Sequence, residues 1–352
     1  MVDQQYVIFI ATPLEPAHID RIRAVSPDRV EVIYEPDLHP PLRYTCDHNG
    51  IDGFRRTPAQ EERWVEGLGR AEILFDFPPK DPDGNGGMDL APNVKWIQTT
   101  SSGVGKRVAD LGLQGSDILF TTAKGVHAGP LSEFFLLGVL KHFKRYDFLK
   151  DEQRAHHWQR YCGDDLEGKV LALIGAGQVG GRVAAVARSL GMRVLALDPQ
   201  LTPNRAEELG YEKIFPTSEL HEMLPVADVV CVCAPHTPET ERMIDAEALR
   251  AMKRGVVFVN IGRGPVVDEP ALVEALRSGH VAFAALDVFA TEPLPTDSPL
   301  WDMPNVLVSP HSASTVATEN RRIVDIFCHN LECYLDGRLD DMKNVLDKAR
   351  MY

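Results

Sequence analysis

The chain has 352 residues with a formal net charge of −14; 44% of the residues are hydrophobic and 25% charged. That length predicts two domains of ordinary size, and the scattered basic residues under an acidic balance exclude a nucleic-acid surface. No run approaches the roughly 18 consecutive apolar residues of a membrane span, and "MVDQQYVIFIAT" has no basic segment before its short apolar run, so a soluble, cytoplasmic protein is expected.

Five strand-like apolar runs open the chain: "YVIFIAT", "RVEVIYE", "AEILFDF", "VKWIQTT" and "DILFTTA", with helical spacing in "EPAHIDRIRAV" and "PAQEERWVEGL" between them. Near-continuous apolar strands alternating with helices predict a parallel sheet covered on both faces. The third strand runs into "DPDGNGGMDLAP" (81–92). Asp81, Asp83, Asn85 and Asp89 stand at the first, third, fifth and ninth places of a calcium loop, but the twelfth place, which requires a bidentate Glu, is Pro92. An irregular surface loop is the better reading, and no metal is expected.

One long amphipathic helix is predicted over 130–150, followed by "QRAHHWQR", whose His156, His157 and Trp158 are read as a connecting segment and not as metal ligands. A second series of seven strands then begins: "KVLALI", "RVLAL", "KIF", "DVVCVC", "VVFVNI", "VAFAAL" and "NVLVSP". Cys231 and Cys233 lie inside a buried strand of this series and lack the second pair that a metal site would need. A final helix is predicted over 315–335.

The first strand–helix junction of the second series carries Gly175, Gly177 and Gly180, and Asp198 ends the next strand. Gly175 permits the tight turn, Gly177 allows backbone to approach a pyrophosphate, and Gly180 lets helix and strand pack closely. The amides at Gln178 and Val179 open a helix whose positive dipole end suits phosphates. Asp198 is placed to accept hydrogen bonds from a ribose 2′-hydroxyl and to repel a 2′-phosphate, which favours NAD over NADP. Parts of this pattern occur in other Rossmann-like proteins, methyltransferases included.

Ligands of open α/β sheets bind beyond the carboxyl ends of the strands. Three charged residues follow strand ends there: Arg263 between Gly262 and Gly264, Glu292 in "DVFATEPLP", and His311 in "SPHSAST". A guanidinium can fork onto a carboxylate, an imidazole titrates near the working pH, and a neighbouring carboxylate would hold that ring as imidazolium.

In this order the motifs resemble the D-isomer-specific 2-hydroxyacid dehydrogenases, from "NVKWIQTTSSGVGK" through "GVHAGPLSEFFLLGVL", "HTPETERMI" and "FVNIGRGPVVDEPALVEAL" to "ALDVFATEPLPTDSPLWDMPNVLVSPHSAS". The resemblance implies two flavodoxin/Rossmann-like α/β domains. The NAD-binding domain (126–310) would be inserted into a discontinuous catalytic, substrate-binding domain (1–125 and 311–352). It implies a catalytic set of Arg263, Glu292 and His311, with hydride passing between NAD and C2 of a 2-keto or 2-hydroxy acid. It further implies that backbone amides of Ser101, Ser102, Gly103 and Val104 meet the substrate carboxylate, and that Ala234, Pro235, Thr240, Ile261 and Asp287 line the cofactor, Asp287 near the nicotinamide amide. A homodimer built on the 130–150 helix and the arm after it is also implied, as is a substrate-selecting role for the 81–92 loop.

Two features depart from the family. The usual Asp after "SAGV" is Gly105, and 36–58 is a long polar segment that maps onto no substrate preference. An NADH-sensing corepressor-like protein and a phosphite or formate dehydrogenase-type relative share the same residue set and remain as alternatives.

Overall fold

The computed structural model describes residues 5–349, in two compact units: one comprises residues up to Val126 together with those from Thr315 onward, the other His127–Ser314. The boundaries expected at 125/126 and 310/311 therefore lie one and four residues before those of the compact units, and His311 belongs to the second unit.

In the first unit, β1 (Tyr6–Ile10), β2 (Val30–Ile33), β3 (Ile73–Phe75), β4 (Trp96–Gln98) and β5 (Leu119–Thr121) form a parallel sheet in the order β2-β1-β3-β4-β5. Period-two alternation of apolar residues explains why both faces are covered. Along β1, Ile8 and Ile10 enter one core cluster while Phe9 enters another. The helices are α1 (Pro16–Val25), α2 (Pro58–Arg70) and α3 (Gly105–Asp110). A capping box starts α2: the Thr57 hydroxyl accepts from the Gln60 amide, Gln60 answers at the Thr57 amide, and Pro58 loses no hydrogen bond in the first turn.

The second unit starts with α4 (Ala128–Phe143) and α5 (Tyr146–Arg154). Here the single helix expected over 130–150 is corrected to two. Arg145 between them has φ +55°, a left-handed residue that no helix passes through, and its guanidinium lies 4.6 Å from the Phe148 ring centroid. The sheet then builds from β6 (Val170–Ile174), α6 (Gln178–Ser189), β7 (Arg193–Leu197), α7 (Pro203–Leu209), β8 (Lys213–Phe215), α8 (Leu220–Met223) and β9 (Val229–Val232). It is completed by α9 (Ala246–Ala251), β10 (Val256–Asn260), α10 (Glu269–Arg277), β11 (Val281–Leu286) and β12 (Val306–Val308). All seven strands are parallel, in the order β12-β11-β10-β9-β6-β7-β8. Every residue of β6 is buried, Val170, Ala172 and Ile174 toward one cluster and Leu171 and Leu173 toward the other. Helix α4 lies so close to the sheet that a Cβ on Gly138 would stand 2.6 Å from that of Ala285.

The last helix, α11 (Glu319–Leu335), returns to the first unit and buries Ile323, Val324, Phe327 and Leu331 in its core, with Phe327 stacked on Trp96 at 5.0 Å. The segment after it closes on β5, the Leu346 amide donating to the Phe120 carbonyl at 2.9 Å. No helix of the described residues is long and apolar enough to cross a membrane.

Candidate active site at the carboxyl ends of the seven-stranded sheet

The strand order reverses between β6 and β9, which makes the carboxyl ends of those strands a topological switch point. Gly175 leaves β6 at φ +89°, and a Cβ there would stand 2.8 Å from the Ala234 nitrogen. A Cβ on Gly180 would stand 2.1 Å from the Gly175 carbonyl oxygen, while one on Gly177 would meet nothing within 4 Å. The first and third glycines thus serve packing, and the second leaves open space in front of the α6 amides, starting at Gln178 and Val179, that a pyrophosphate requires. Half-buried Asp198 organises this turn: Oδ2 accepts from the Ala176 amide at 2.7 Å and Oδ1 from the Gln200 amide at 2.8 Å. These residues fit a dinucleotide.

Opposite the glycine turn, the loop after β9 is tied by Thr240, whose hydroxyl donates to the Pro235 carbonyl at 2.7 Å and accepts from the Thr237 amide at 2.8 Å. Ile261 is buried beside it, its amide donating to Val232 at 3.1 Å. Cys231 and Cys233 place their sulfurs 3.7 Å apart as free thiols. Among the described residues no group of three His, Cys, Asp or Glu is arranged to hold a metal ion. In the 81–92 loop, the Asp81 carboxylate instead accepts from the Asp83 and Asn85 amides, and Asp83 pairs with Arg55.

Arg263 sits just past β10 between two glycines that have no room for a side chain. A Cβ on Gly262 would stand 2.7 Å from the Ala234 oxygen, and one on Gly264 only 1.8 Å from the Phe289 oxygen. Buried Asn260, at the end of β10, accepts from the Gly262 amide at 3.1 Å and donates to the Arg263 carbonyl at 3.3 Å. Among the described residues the guanidinium donates to its neighbour's carbonyl, that of Gly262, at 2.7 Å.

The loop after β11 carries Glu292 and is fastened twice: the Phe289 amide donates to Glu292 Oε1 at 3.0 Å, and the Ala290 amide to Glu269 at the start of α10 at 2.9 Å. The loop after β12 carries His311, held at φ +52°. Its anchor is buried Asp287, whose Oδ1 accepts from the Ser309 hydroxyl at 2.6 Å and from the Ser312 and Ala313 amides at 2.9 Å each. Two independently fastened loops thereby bring His311 Nδ1 to 2.7 Å from Glu292 Oε2.

That bond raises the His311 pKa against the opposing effect of burial, and the Glu292 charge adds to it. Burial alone would raise the Glu292 carboxyl, yet the His311 and Phe289 hydrogen bonds and the charges of His311 and Arg263 leave it lowered. Nδ1 is committed to Glu292, so Nε2 is the nitrogen free to exchange a proton. The proton-donating form of His311 is therefore held at low pH and is lost as pH rises through its raised pKa. Glu292→Gln removes the anion and its hydrogen bond, so the falling limb of kcat/KM against pH is expected to move to lower pH. An unmoved limb would contradict the pairing.

Arg263, Glu292, His311, Asp287, Ile261, Ala234, Pro235, Thr240 and the glycine turn with Asp198 all lie in the second unit. Ser101–Val104 lies in the first, beyond the carboxyl end of β4. That turn is braced by the Thr100 hydroxyl on Asp76 at 2.6 Å and the Thr99 hydroxyl on the Ser101 carbonyl at 2.7 Å. Sequence reasoning missed Asn260, Glu269 and Ser309. Of these only Asn260 gave a signal, as a polar residue ending an otherwise apolar strand.

Residues 136–313 match the model of the D-isomer specific 2-hydroxyacid dehydrogenase NAD binding domain, which is half of the chain. A glyoxylate reductase of Thermofilum pendens is 34% identical over 262 residues, covering 72% of this chain and 75% of that protein. The chain belongs to the D-isomer specific 2-hydroxyacid dehydrogenase family. Within it, a D-3-phosphoglycerate dehydrogenase of Mycobacterium leprae is 36% identical over 286 residues, 76% of this chain, and the chain spans about half the length of that relative. The crystal structure of a D-isomer specific 2-hydroxyacid dehydrogenase from Xanthobacter autotrophicus Py2, in complex with NADPH and MES, superposes with a TM-score of 0.75 at 27% identity over 99% of both chains. The two parallel sheets of five and seven strands are thus a fold of this family.

Proposed function

We propose that the protein is an NAD-dependent oxidoreductase that reduces 2-keto acids to D-2-hydroxy acids and runs the reverse reaction. The observation that carries this reading is the His311–Glu292 pair, fastened by two separate loops beside Arg263 on the sheet whose switch point bears the glycine turn.

NAD, when bound along Gly175, Gly177, Gln178, Val179, Gly180 and Asp198, with Ala234, Pro235, Thr240, Ile261 and Asp287 as further lining, supplies or accepts the hydride. The protein does the rest. Arg263 presents a guanidinium whose fork matches a substrate carboxylate and polarises the adjacent carbonyl. His311 Nε2 delivers a proton to the carbonyl oxygen in reduction and removes it from the alcohol in oxidation. Glu292 orients the imidazole through Nδ1 and stabilises its charged form. The Ser101, Ser102, Gly103 and Val104 backbone is assigned to the substrate carboxylate, as the family resemblance implies.

Asp198 supports a preference for NADH, because a 2′-phosphate would meet its carboxylate. The test is a panel of 2-keto acids assayed with NADH and NADPH side by side. NADH oxidation on at least one keto acid, with kcat/KM for NADPH lower by about tenfold or more for one full charge repulsion, is expected. Turnover only of a one-carbon or inorganic substrate would contradict the reading, and an NADPH preference would contradict the role of Asp198.

We assign the protein to the cytoplasm as a homodimer. Six unpaired thiols support a reducing compartment. Exposed Leu137, Tyr146, Leu149 and Trp158 along α4, α5 and the arm support a partner on that face. Light scattering should give twice the 39.1 kDa chain mass.

A further inference from the structure

The C-x-C pair at the end of β9 has no part in the chemistry above. Residues i and i+2 of a strand share one face, and here the sheet holds that spacing. Cys231 is paired with Leu173 of β6 and Val259 of β10, and the Cys233 amide donates to the Ile174 carbonyl at 2.8 Å. The two sulfurs stand 3.7 Å apart, and neither is in a disulfide. Cys231 is fully buried. Burial first, then the neighbouring Cys233, pushes its thiol up, so at neutral pH it keeps its proton until a cation displaces it. Cys233 is partly exposed.

The pair adjoins the place assigned to the dinucleotide. Cys233 runs directly into Ala234 and Pro235. Burial, then Asp198 and Cys233, raise the pKa of the Tyr211 hydroxyl, which is buried with no hydrogen-bond partner among the described residues. One phenol is thus within electrostatic reach of both the carboxylate assigned to the ribose and the exposed member of the thiol pair. The Cys233–Ala234 backbone has no slack: a Cβ on Gly175 would stand 3.0 Å from the Cys233 carbonyl carbon, and one on Gly262 would stand 3.2 Å from it. A disulfide, with sulfurs about 2.05 Å apart, would have to drag Cys233 against that packing. Two Zn–S bonds of about 2.3 Å at the tetrahedral angle put their sulfurs about 3.8 Å apart, which the pair matches with its backbone in place.

We propose that Cys231 and Cys233 chelate a thiophilic divalent cation, zinc above all, and that the occupied site excludes the dinucleotide. On binding, both S–H bonds break, two sulfur–metal bonds form and two protons leave to solvent, with no change of oxidation state. A structural zinc takes four protein ligands; here two come from the pair and the rest are water, so the cation exchanges and acts as an inhibitor. The metal and its waters take up the space beside Ala234 and Pro235. The inference rests on the dinucleotide assignment and is independent of which acid is the substrate.

The test uses the full chain, with Cd2+ as the spectroscopic stand-in for zinc. The first equivalent of Cd2+ should bring up the ultraviolet thiolate-to-cadmium absorption, and Cys231→Ala should lose that equivalent. The wild type gives the same answer without a substitution: residues 214–242 form one tryptic peptide that carries these two cysteines and none of the other four, and Cd2+ should protect it from iodoacetamide. NADH fluorescence titration reads the second half. With Zn2+ at ten times its own dissociation constant, competition should raise the apparent NADH Kd about elevenfold, and Cys231→Ala should show no such shift. Cadmium absorption that persists at full strength in the variant, alkylation of 214–242 that Cd2+ does not slow, or an NADH Kd that bound Zn2+ leaves unmoved overturns the proposal. NADH that fails to bind with no metal present overturns the dinucleotide assignment together with it.

Discussion

His311→Gln is expected to lower kcat for keto-acid reduction about a thousandfold, the range that a positioned acid–base group contributes, while leaving the dissociation constant of NADH within about twofold. Glutamine keeps the polarity and approximate volume of the ring but has no group that titrates near neutrality. Its amide can still donate to Glu292, so the loop that Asp287 fastens through Ser309, Ser312 and Ala313 should hold its course. The glycine turn and Asp198, to which the dinucleotide is assigned, are untouched. Steady-state kinetics and fluorescence titration of NADH check the two halves separately. Near-normal turnover would remove His311 from the proton-transfer role. A collapse of NADH affinity would show that the substitution disturbs more than the imidazole.

The second large effect is expected at a residue with no chemistry of its own. Gly264→Ala would drive a methyl group to 1.8 Å from the Phe289 carbonyl oxygen and 2.6 Å from the Ala290 amide nitrogen, so the backbones carrying Arg263 and Glu292 must separate. The overpacking should destabilise the protein by about 3 kcal/mol. Displacement of the catalytic groups by about 1 Å should cost a hundredfold or more in kcat/KM. Gly115→Ala is the control, since a Cβ there meets nothing within 4 Å, and it should change stability by less than about 0.5 kcal/mol. Thermal unfolding and kinetics on the two variants check this. Equal behaviour would mean that the Gly264 contact relaxes freely and does not set the geometry of the site.

The parallel sheets were legible because fully buried strands are written as unbroken apolar runs: all twelve strand segments identified from the sequence form strands, from "YVIFIAT" to "NVLVSP". The break between α4 and α5 was not legible. No glycine or proline marks it, and Arg145 takes φ +55° in a stretch whose neighbours all suit a helix. At the site, Arg263, Glu292 and His311 stood out because each follows a strand end, where side chains of an open α/β sheet face ligands. The residues that fasten them did not stand out. Glu269 is indistinguishable in sequence from an acidic residue favoured in a helix's first turn, and only the folded loop brings the Ala290 amide within 2.9 Å of it. Asp287 was recognised, but its hold on the His311 loop depends on β11 and β12 being neighbours. The 36–58 segment was opaque for a related reason. Its polar composition carries no signal of packing, whereas its Pro40, Pro41 and Leu42 line one cavity with Leu14 and Tyr34 from other parts of the chain.

The proposed reaction moves a hydride from NADH to C2 of a 2-keto acid and a proton from His311 to the carbonyl oxygen. The most direct measurement is reduction of phenylpyruvate and glyoxylate by NADH carrying deuterium at both nicotinamide C4 positions, with mass and chiral analysis of the products. One deuterium at C2 of each product, the D-hydroxy acid from phenylpyruvate, and loss of this product in His311→Gln is the predicted result. Unlabelled product, an L-hydroxy acid, or undiminished formation by the variant would contradict it.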